Sequence, residues 1–222
     1  MEISNESITI LSTVITTLST VITAVIAIIA LIQSGKQIKL DNKQHLFDKR
    51  VENYIIAKGI IELYRINQSS IEEDKKDEPY FIVDLIFRWL TNNSHLESIT
   101  PVIDKPLENP MHKEFLMKME ELKHVSIKFK FLFTGKTSRR MEKFIINYQK
   151  LLSALYQYQI TLNCMKDASE KYKKTLEEAS KNVGEEQYRN NLYKDFENLK
   201  MAYKEIEEYK VEEKIEKQIN LI

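Results

Sequence analysis

Hydrophobic and polar positions alternate along most of this chain with a helical period, but the first stretch has no polar face at all. From Ile8 to Ile32 there are 25 consecutive residues without a charge, a proline or a glycine. As a helix this run is about 37 Å long, against a bilayer hydrocarbon core of about 30 Å. It is therefore long enough to span a membrane with some tilt. A cleaved signal peptide fits less well. The preceding residues carry Glu2 and Glu6 and no Lys or Arg, the apolar run is too long, and no small-residue cleavage site follows cleanly.

Beyond the run, Leu40, Phe47, Val51, Tyr54 and Ile55 fall near one face, and the pattern predicts a helix continuing as a stalk to about Ile66. Gly35 and Gly59 weaken that helix without ending it. Residues 67–78 read as a polar loop. Pro79 suits the first position of a new helix, in which Phe81, Ile82, Leu85, Ile86, Trp89 and Leu90 are apolar almost all round and so predict burial. Residues 94–109, with Pro101 and Pro106, look irregular. Asn109-Pro110 starts another helix, continued by Phe115, Leu116, Met119, Leu122 and Val125. Residues 127–133 alternate as a strand would, but Phe129 and Leu132 keep the preceding helical register, and helix is the expectation.

After Gly135 a seam of Met141, Ile145, Tyr148, Leu152, Leu155, Leu162, Met165, Tyr172, Leu176, Ala179 and Val183 predicts one long coiled-coil-like helix, stopped at Gly184. A last helix carries Leu192, Phe196, Leu199, Tyr203 and Ile206, then Ile215, Ile219 and Ile222, with a stutter near Lys210. The predicted fold is all-α. It has an external N-terminus (1–7), a transmembrane helix (8–33), a juxtamembrane stalk (34–66) and a cytoplasmic bundle (67–222) built on an antiparallel hairpin (137–222).

Composition supports that picture. Four glycines and four prolines in 222 residues leave little punctuation for strands and turns. Thirty-three basic residues balance 33 acidic ones, which argues against a dedicated nucleic-acid binder. Cys164 is the single cysteine, so no intramolecular disulfide or multi-cysteine zinc site forms. Its place within a long helix predicts burial. Lys36, Lys39, Lys43, Lys49 and Arg50 follow the apolar run and no basic residue precedes it, which by the positive-inside rule places the N-terminus outside and the C-terminal domain in the cytoplasm.

Candidate chemistry is sparse. Thr134-Gly135-Lys136-Thr137 matches the end of a phosphate-binding loop, but Lys130 stands where the motif needs its first glycine. A glycine-marked turn between helices is the better reading. His45, His95, His112 and His124 have no metal-ligand spacing, and no serine sits in a nucleophile elbow. Lys136, Arg139 and Arg140 form a short basic cluster for which simple solvation is the expectation. No catalytic residue, metal or cofactor is assigned. Within the apolar run, Thr13, Thr16, Thr20, Thr23, Ala27 and Ala30 recur on one helical face, a stripe that lets two such helices approach closely and hydrogen-bond across the contact. The competing reading has each hydroxyl bonded to its own backbone and facing lipid.

With the element Phe47-Asp48-Lys49-Arg50 and Tyr54 in view, together with Lys130-Phe131-Leu132-Phe133, the chain resembles a loose group of bacterial and phage membrane-anchored helical proteins. About 25 residues carry the specific part of that likeness. It implies no defined activity; for some similar proteins a role in phage defence or exclusion is suspected. One physical reading makes Asp48, Lys49 and Arg50 an ion-paired junction between stalk and bundle. The expected function is a non-enzymatic, single-pass, membrane-tethered scaffold whose partners are the bilayer, a second copy of itself or another protein. The competing class is a phage-exclusion or abortive-infection effector acting through oligomerisation.

Overall fold

A computed structural model describes residues 5–71 and 78–220, with only the backbone described for residues 6 and 7. Among the described residues there are eight helices and no strand. The chain divides into two compact units, one up to Asp48 and one from Lys49 onward.

In the first unit the described residues form a single element, the opening part of α1 (Asn5–Ile71). Every described side chain up to Lys49 is exposed, including all the large apolar ones. Continuity through Gly35 follows from the absence of any proline and from good helix formers on both sides.

The second unit is a helical bundle. It comprises the rest of α1, α2 (Val83–Thr91), a 3-10 helix (Glu97–Ile103), α3 (Met111–Leu132), α4 (Gly135–Tyr172), α5 (Leu176–Val183), α6 (Glu185–Glu208) and α7 (Val211–Asn220). α1 ends at Ile71 rather than Ile66, so Asn67 to Ser70, expected in a polar loop, are helical. The Asn67 side chain donates to the Leu63 carbonyl at 2.8 Å and so uses its polarity within the helix. The rest of the predicted loop, 72–77, lies outside the described residues. Gly59 has a packing reason: a Cβ there would stand 3.3 Å from Asn93 Nδ2 in the loop after α2.

α2 begins at Val83, not Pro79. Before it, the Tyr80 amide donates to the Tyr158 hydroxyl at 2.8 Å, a tertiary bond that replaces a helical start. Only one face of α2 is covered, by Val83, Ile86, Phe87 and Leu90, while Phe81, Ile82 and Leu85 stay exposed. The expectation of a helix buried all round is therefore wrong. The stretch expected to be irregular holds a 3-10 helix with Pro101 inside it, after a turn in which Asn93 Oδ1 accepts the His95 and Leu96 amides. Residues 127–132 are helical, because Val125 and Phe129 bury against α4 and override the local alternation.

α4 is the central helix. Met141, Phe144, Ile145, Tyr148, Leu151, Leu152, Leu155 and Tyr158 are fully buried along it. α6 runs antiparallel beside it: Lys143 meets Glu205, Asn147 Nδ2 donates to the Asn198 carbonyl at 3.5 Å, and Tyr158 meets Glu185. The predicted unbroken helix to Val183 fails at Lys173, which adopts a left-handed conformation with φ 51°. Thr175 then caps α5, its hydroxyl accepting the Glu178 amide while the Glu178 carboxylate accepts the Thr175 amide. That Thr-x-x-Glu capping box competes locally with helix continuation and wins. Tyr172 and Leu176, assigned to the buried seam, are consequently 70% and 51% exposed. The stutter near Lys210 is a full break, with Lys210 at φ 48°, which lets α7 turn back over the bundle. Cys164 was expected inside and is exposed, while Ile222 lies outside the described residues.

Tyr64 of α1, Phe144 of α4 and Tyr203 of α6 pack ring against ring, with centroids 5.0–6.3 Å apart. Phe144→Ala removes the middle ring and leaves a cavity at the meeting point of three helices. Denaturant unfolding of this variant is expected to lose about 3–5 kcal/mol; a loss under about 1 kcal/mol would mean that the core closes over the gap.

Candidate functional site

The striped face of the apolar helix has a definite hydrogen-bond state. Thr13, Thr16, Thr20 and Thr23 donate their hydroxyls to the carbonyls of Thr9, Ser12, Thr16 and Ser19, at 2.8–2.9 Å. Ala27 and Ala30 continue the same face and are exposed. Each hydroxyl hydrogen is thus satisfied within its own helix, as the competing sequence reading has it.

The juxtamembrane set does not act as one group. Lys36, Lys39, Lys43 and Phe47 are exposed, and Asp48 accepts a bond from Gln44 Nε2 at 2.9 Å. Lys49 pairs with Glu52 on its own helix at 2.8 Å. Arg50 does something the sequence reading missed. Its Nε donates to the Leu132 carbonyl at 2.7 Å and an Nη to the Gln218 carbonyl at 2.8 Å, while its guanidinium lies 5.5 Å from the Phe133 ring centre. Leu132 and Gln218 sit in the last turns of α3 and α7, where carbonyls lack intrahelical partners. The expected ion-paired junction is therefore an arginine closing two helix C-termini. Beside it, Gln218 Oε1 accepts the Thr134 amide at 2.8 Å, and this holds the α3–α4 turn.

Further along α1 a polar seam faces α6 and α7. Tyr54 donates to Glu216 at 2.7 Å, and Lys58 reaches the same carboxylate. These bonds from Tyr54 and Lys58 hold the Glu216 carboxyl below the usual carboxylate range. Arg65 donates to the Tyr203 hydroxyl at 3.0 Å and pairs with Glu62 and Glu212. Tyr203 in turn donates to Glu207 at 2.6 Å, and burial together with that carboxylate pushes its phenol up to about 12.

At the opposite end of α4 from Arg50, the α5–α6 corner forms a cleft of about 690 Å³, edged by Pro79, Leu176, Ser180 and Lys181. Gly184, at φ 67°, makes the corner. Glu185 is fully buried there. Its carboxylate accepts hydrogen bonds from the Tyr158 hydroxyl and, at 3.1 Å, from the Ser180 hydroxyl, with Arg189 Nε 3.7 Å away. Burial and the Glu185 contact push the Tyr158 phenol well above its ordinary value. Both carboxylate oxygens are engaged by hydroxyl donors, so the cluster ties α5 and α6 to α4. A second groove of about 550 Å³ shares Leu176 and runs along α4, with Leu162 and Met165 among its lining and Phe81 at its edge.

No protein-family model, curated protein or solved structure matches this chain. Chemistry must therefore be read from these contacts alone. Among the described residues no group of three His, Cys, Asp or Glu side chains is arranged to hold a metal. His112 Nδ1 lies 2.7 Å from the Tyr156 hydroxyl, which also accepts the Leu107 amide, so this histidine orders a loop. Thr134 to Thr137 form the α3–α4 corner, with Gly135 at φ 78°. The Glu185 cluster was invisible in the sequence, where Glu185 reads as an ordinary first-turn acid.

Arg50→Ala leaves two helix-terminal carbonyls without their charged donor. A loss of at least about 1.5–3 kcal/mol, one charge-assisted bond, is expected in chemical unfolding. Arg50→Lys should recover only part, because an ammonium lacks the planar fork that reaches both carbonyls.

Proposed function

We propose that this chain is a single-pass, membrane-tethered helical interaction protein whose bundle works at the cytoplasmic face. The observation that carries the reading is the state of Ile8–Ile32. Its large apolar side chains are 49–73% exposed and none is covered by the rest of the chain. Leaving them in water costs on the order of tens of kcal/mol, at about 1.5–3 kcal/mol for each side chain that burial would otherwise stabilise. A lipid interior removes that cost, and the run has neither a charge nor an unsatisfied hydroxyl donor on the striped face to oppose it. Lys36, Lys39 and Lys43 on the following exposed turns support the inward orientation of the bundle.

An interaction role is supported by the bundle's surface. Phe81 and Leu176 are 59% and 51% exposed at the groove beside α4, the kind of clustered apolar surface that marks partner contacts. The membrane helix contributes by localisation, raising the effective concentration of the bundle for anything else at that surface.

Carbonate washing of membranes from expressing cells tests the anchor. The full chain should stay in the pellet, and a tag after Ile222 should resist external protease until cells are opened. Release of the intact chain by carbonate, or cleavage of the tag on whole cells, refutes the reading.

Self-association through the stripe is part of the same proposal, and the hydroxyl bonding specifies how it works. With each hydrogen bonded to its own helix, the stripe acts by allowing close backbone approach rather than by donating across the contact. Thr16→Leu, Thr20→Leu and Thr23→Leu combined should weaken oligomers detected by crosslinking in membranes. An unchanged ladder of crosslinked species removes the stripe from the mechanism.

A further inference from the structure

The end of the bundle held by Arg50 carries a surface that neither the fold nor the interaction reading uses. Phe131, in the last turn of α3, is 78% exposed, more than any other large apolar side chain among the described residues. Ile127 lies one turn before it on the same face and is 41% exposed, with Lys128 exposed beside the two. Around the corner, Lys130, Lys136 and Arg139 line a shallow hollow of about 480 Å³ and are all exposed. None of these four cations lies within ion-pair distance of a described carboxylate, although Lys128 stands near enough to Glu52 to act on its charge. Some exposed cations elsewhere in the bundle do so, as Lys58 does with Glu216 and Lys143 with Glu205. Arg140, grouped with Lys136 and Arg139 by sequence, is not part of the surface. It stacks 3.6 Å from the Tyr209 ring centre and lies 3.8 Å from Glu205.

We infer that this α3–α4 tip, with Phe131 and Ile127 as its apolar contacts and Lys128, Lys130, Lys136 and Arg139 as its charges, docks on an anionic lipid surface. The inference rests on the membrane-anchor reading and adds to it a second, reversible contact. An aromatic side chain projecting among unpaired lysines matches the boundary between headgroups and acyl chains, where the ring partitions inward and the cations meet phosphates. Connectivity favours the bilayer as well. The tip is bonded directly to Arg50, eighteen residues beyond Ile32. Even fully extended chain keeps it within about 60 Å of the apolar run. Weak docking is sufficient at such a range, because the tether makes it an intramolecular event.

The test uses the full-length chain carrying Phe131→Trp, reconstituted into vesicles whose lipids are brominated in the acyl chains. The companion protein with native Phe131 supplies the Trp89 background. Quenching of the residue-131 tryptophan is expected in vesicles containing phosphatidylglycerol, and not in purely zwitterionic ones, and it should fall as salt is raised. Combined Lys130→Gln, Lys136→Gln and Arg139→Gln should lower the docked-to-undocked ratio about a hundredfold, at about fivefold per charge removed. Vesicle flotation and circular dichroism verify that the variant is still incorporated and helical. If it is not, single Lys130→Ala and Lys136→Ala variants replace it, each expected to lower the ratio severalfold.

Equal quenching in both lipid mixtures, or none in either while the protein floats with the vesicles, overturns the docking inference and leaves the anchor intact. Competition by soluble glycerol phosphate that matches the effect of the lipid assigns the surface to free phosphate esters and overturns it too. Protein that fails to float refutes the anchor, and the docking inference falls with it.

Discussion

The bundle depends on one packing event, the meeting of Tyr64, Phe144 and Tyr203 in its interior. Those three rings come from α1, α4 and α6, segments separated by many residues of chain, and their contact joins all three helices. α4 supplies the longest apolar face, and α6 and the late part of α1 close over it. α7 reaches its place because Lys210 breaks the helix and lets Val211, Ile215 and Ile219 turn inward. Where α1 enters the bundle, Arg50 binds the carboxy-terminal turns of α3 and α7 together. Within the second half of α4, Tyr158 bonds Glu185 and secures the α5–α6 corner.

Much of this is legible in the sequence where a repeated signal exists. The uncharged run, the seam from Met141 to Met165 and the spacing of Leu192, Phe196, Leu199 and Tyr203 each contain several residues repeating one statement, and such redundancy survives a few discordant positions. Helix breaks are single-residue events. Lys173 and Lys210 adopt left-handed conformations that neither glycine nor asparagine announces. One of them was nonetheless readable: Thr175-x-x-Glu178 is a capping box, overlooked because the apolar seam continued on paper through Leu176 and Ala179. Tertiary context explains the remaining differences. Leu85 looks like core by hydropathy and is exposed because α2 meets the bundle with one face only, and Phe81 is exposed in the turn that precedes that helix.

The polar residues that matter were the least legible. A periodicity argument treats interleaved Lys, Arg and Glu as solvated surface, and for most of this chain that holds. Arg50, Arg65 and Glu185 depart from it because each lies where helices separated in sequence converge, a property of topology and not of spacing. Arg139 and Arg140 make the same point in a pair. They are neighbours with identical side chains, yet a helix places them about 100° apart. Arg140 is turned onto Tyr209 and Glu205, whereas Arg139 is left facing solvent beside Lys136.

The threonines of the apolar run pose the converse problem, because their environment is settled locally. A hydroxyl that donates to the carbonyl four residues earlier needs no partner from another element, and it can therefore face either lipid or a second helix at little polar cost. What distinguishes the two settings is shape. Thr and Ala at the 3-4 spacing leave a shallow channel along one side of a helix whose other sides carry Val, Leu and Ile. Lipid chains fill such a channel as readily as a neighbouring helix does, unless the neighbour brings a matching channel and lets the two backbones close up. If the run spans a bilayer as proposed, identical chains satisfy that condition automatically, since each would present the same channel at the same depth. For that reason a second copy is a better-matched occupant of the stripe than an unrelated helix.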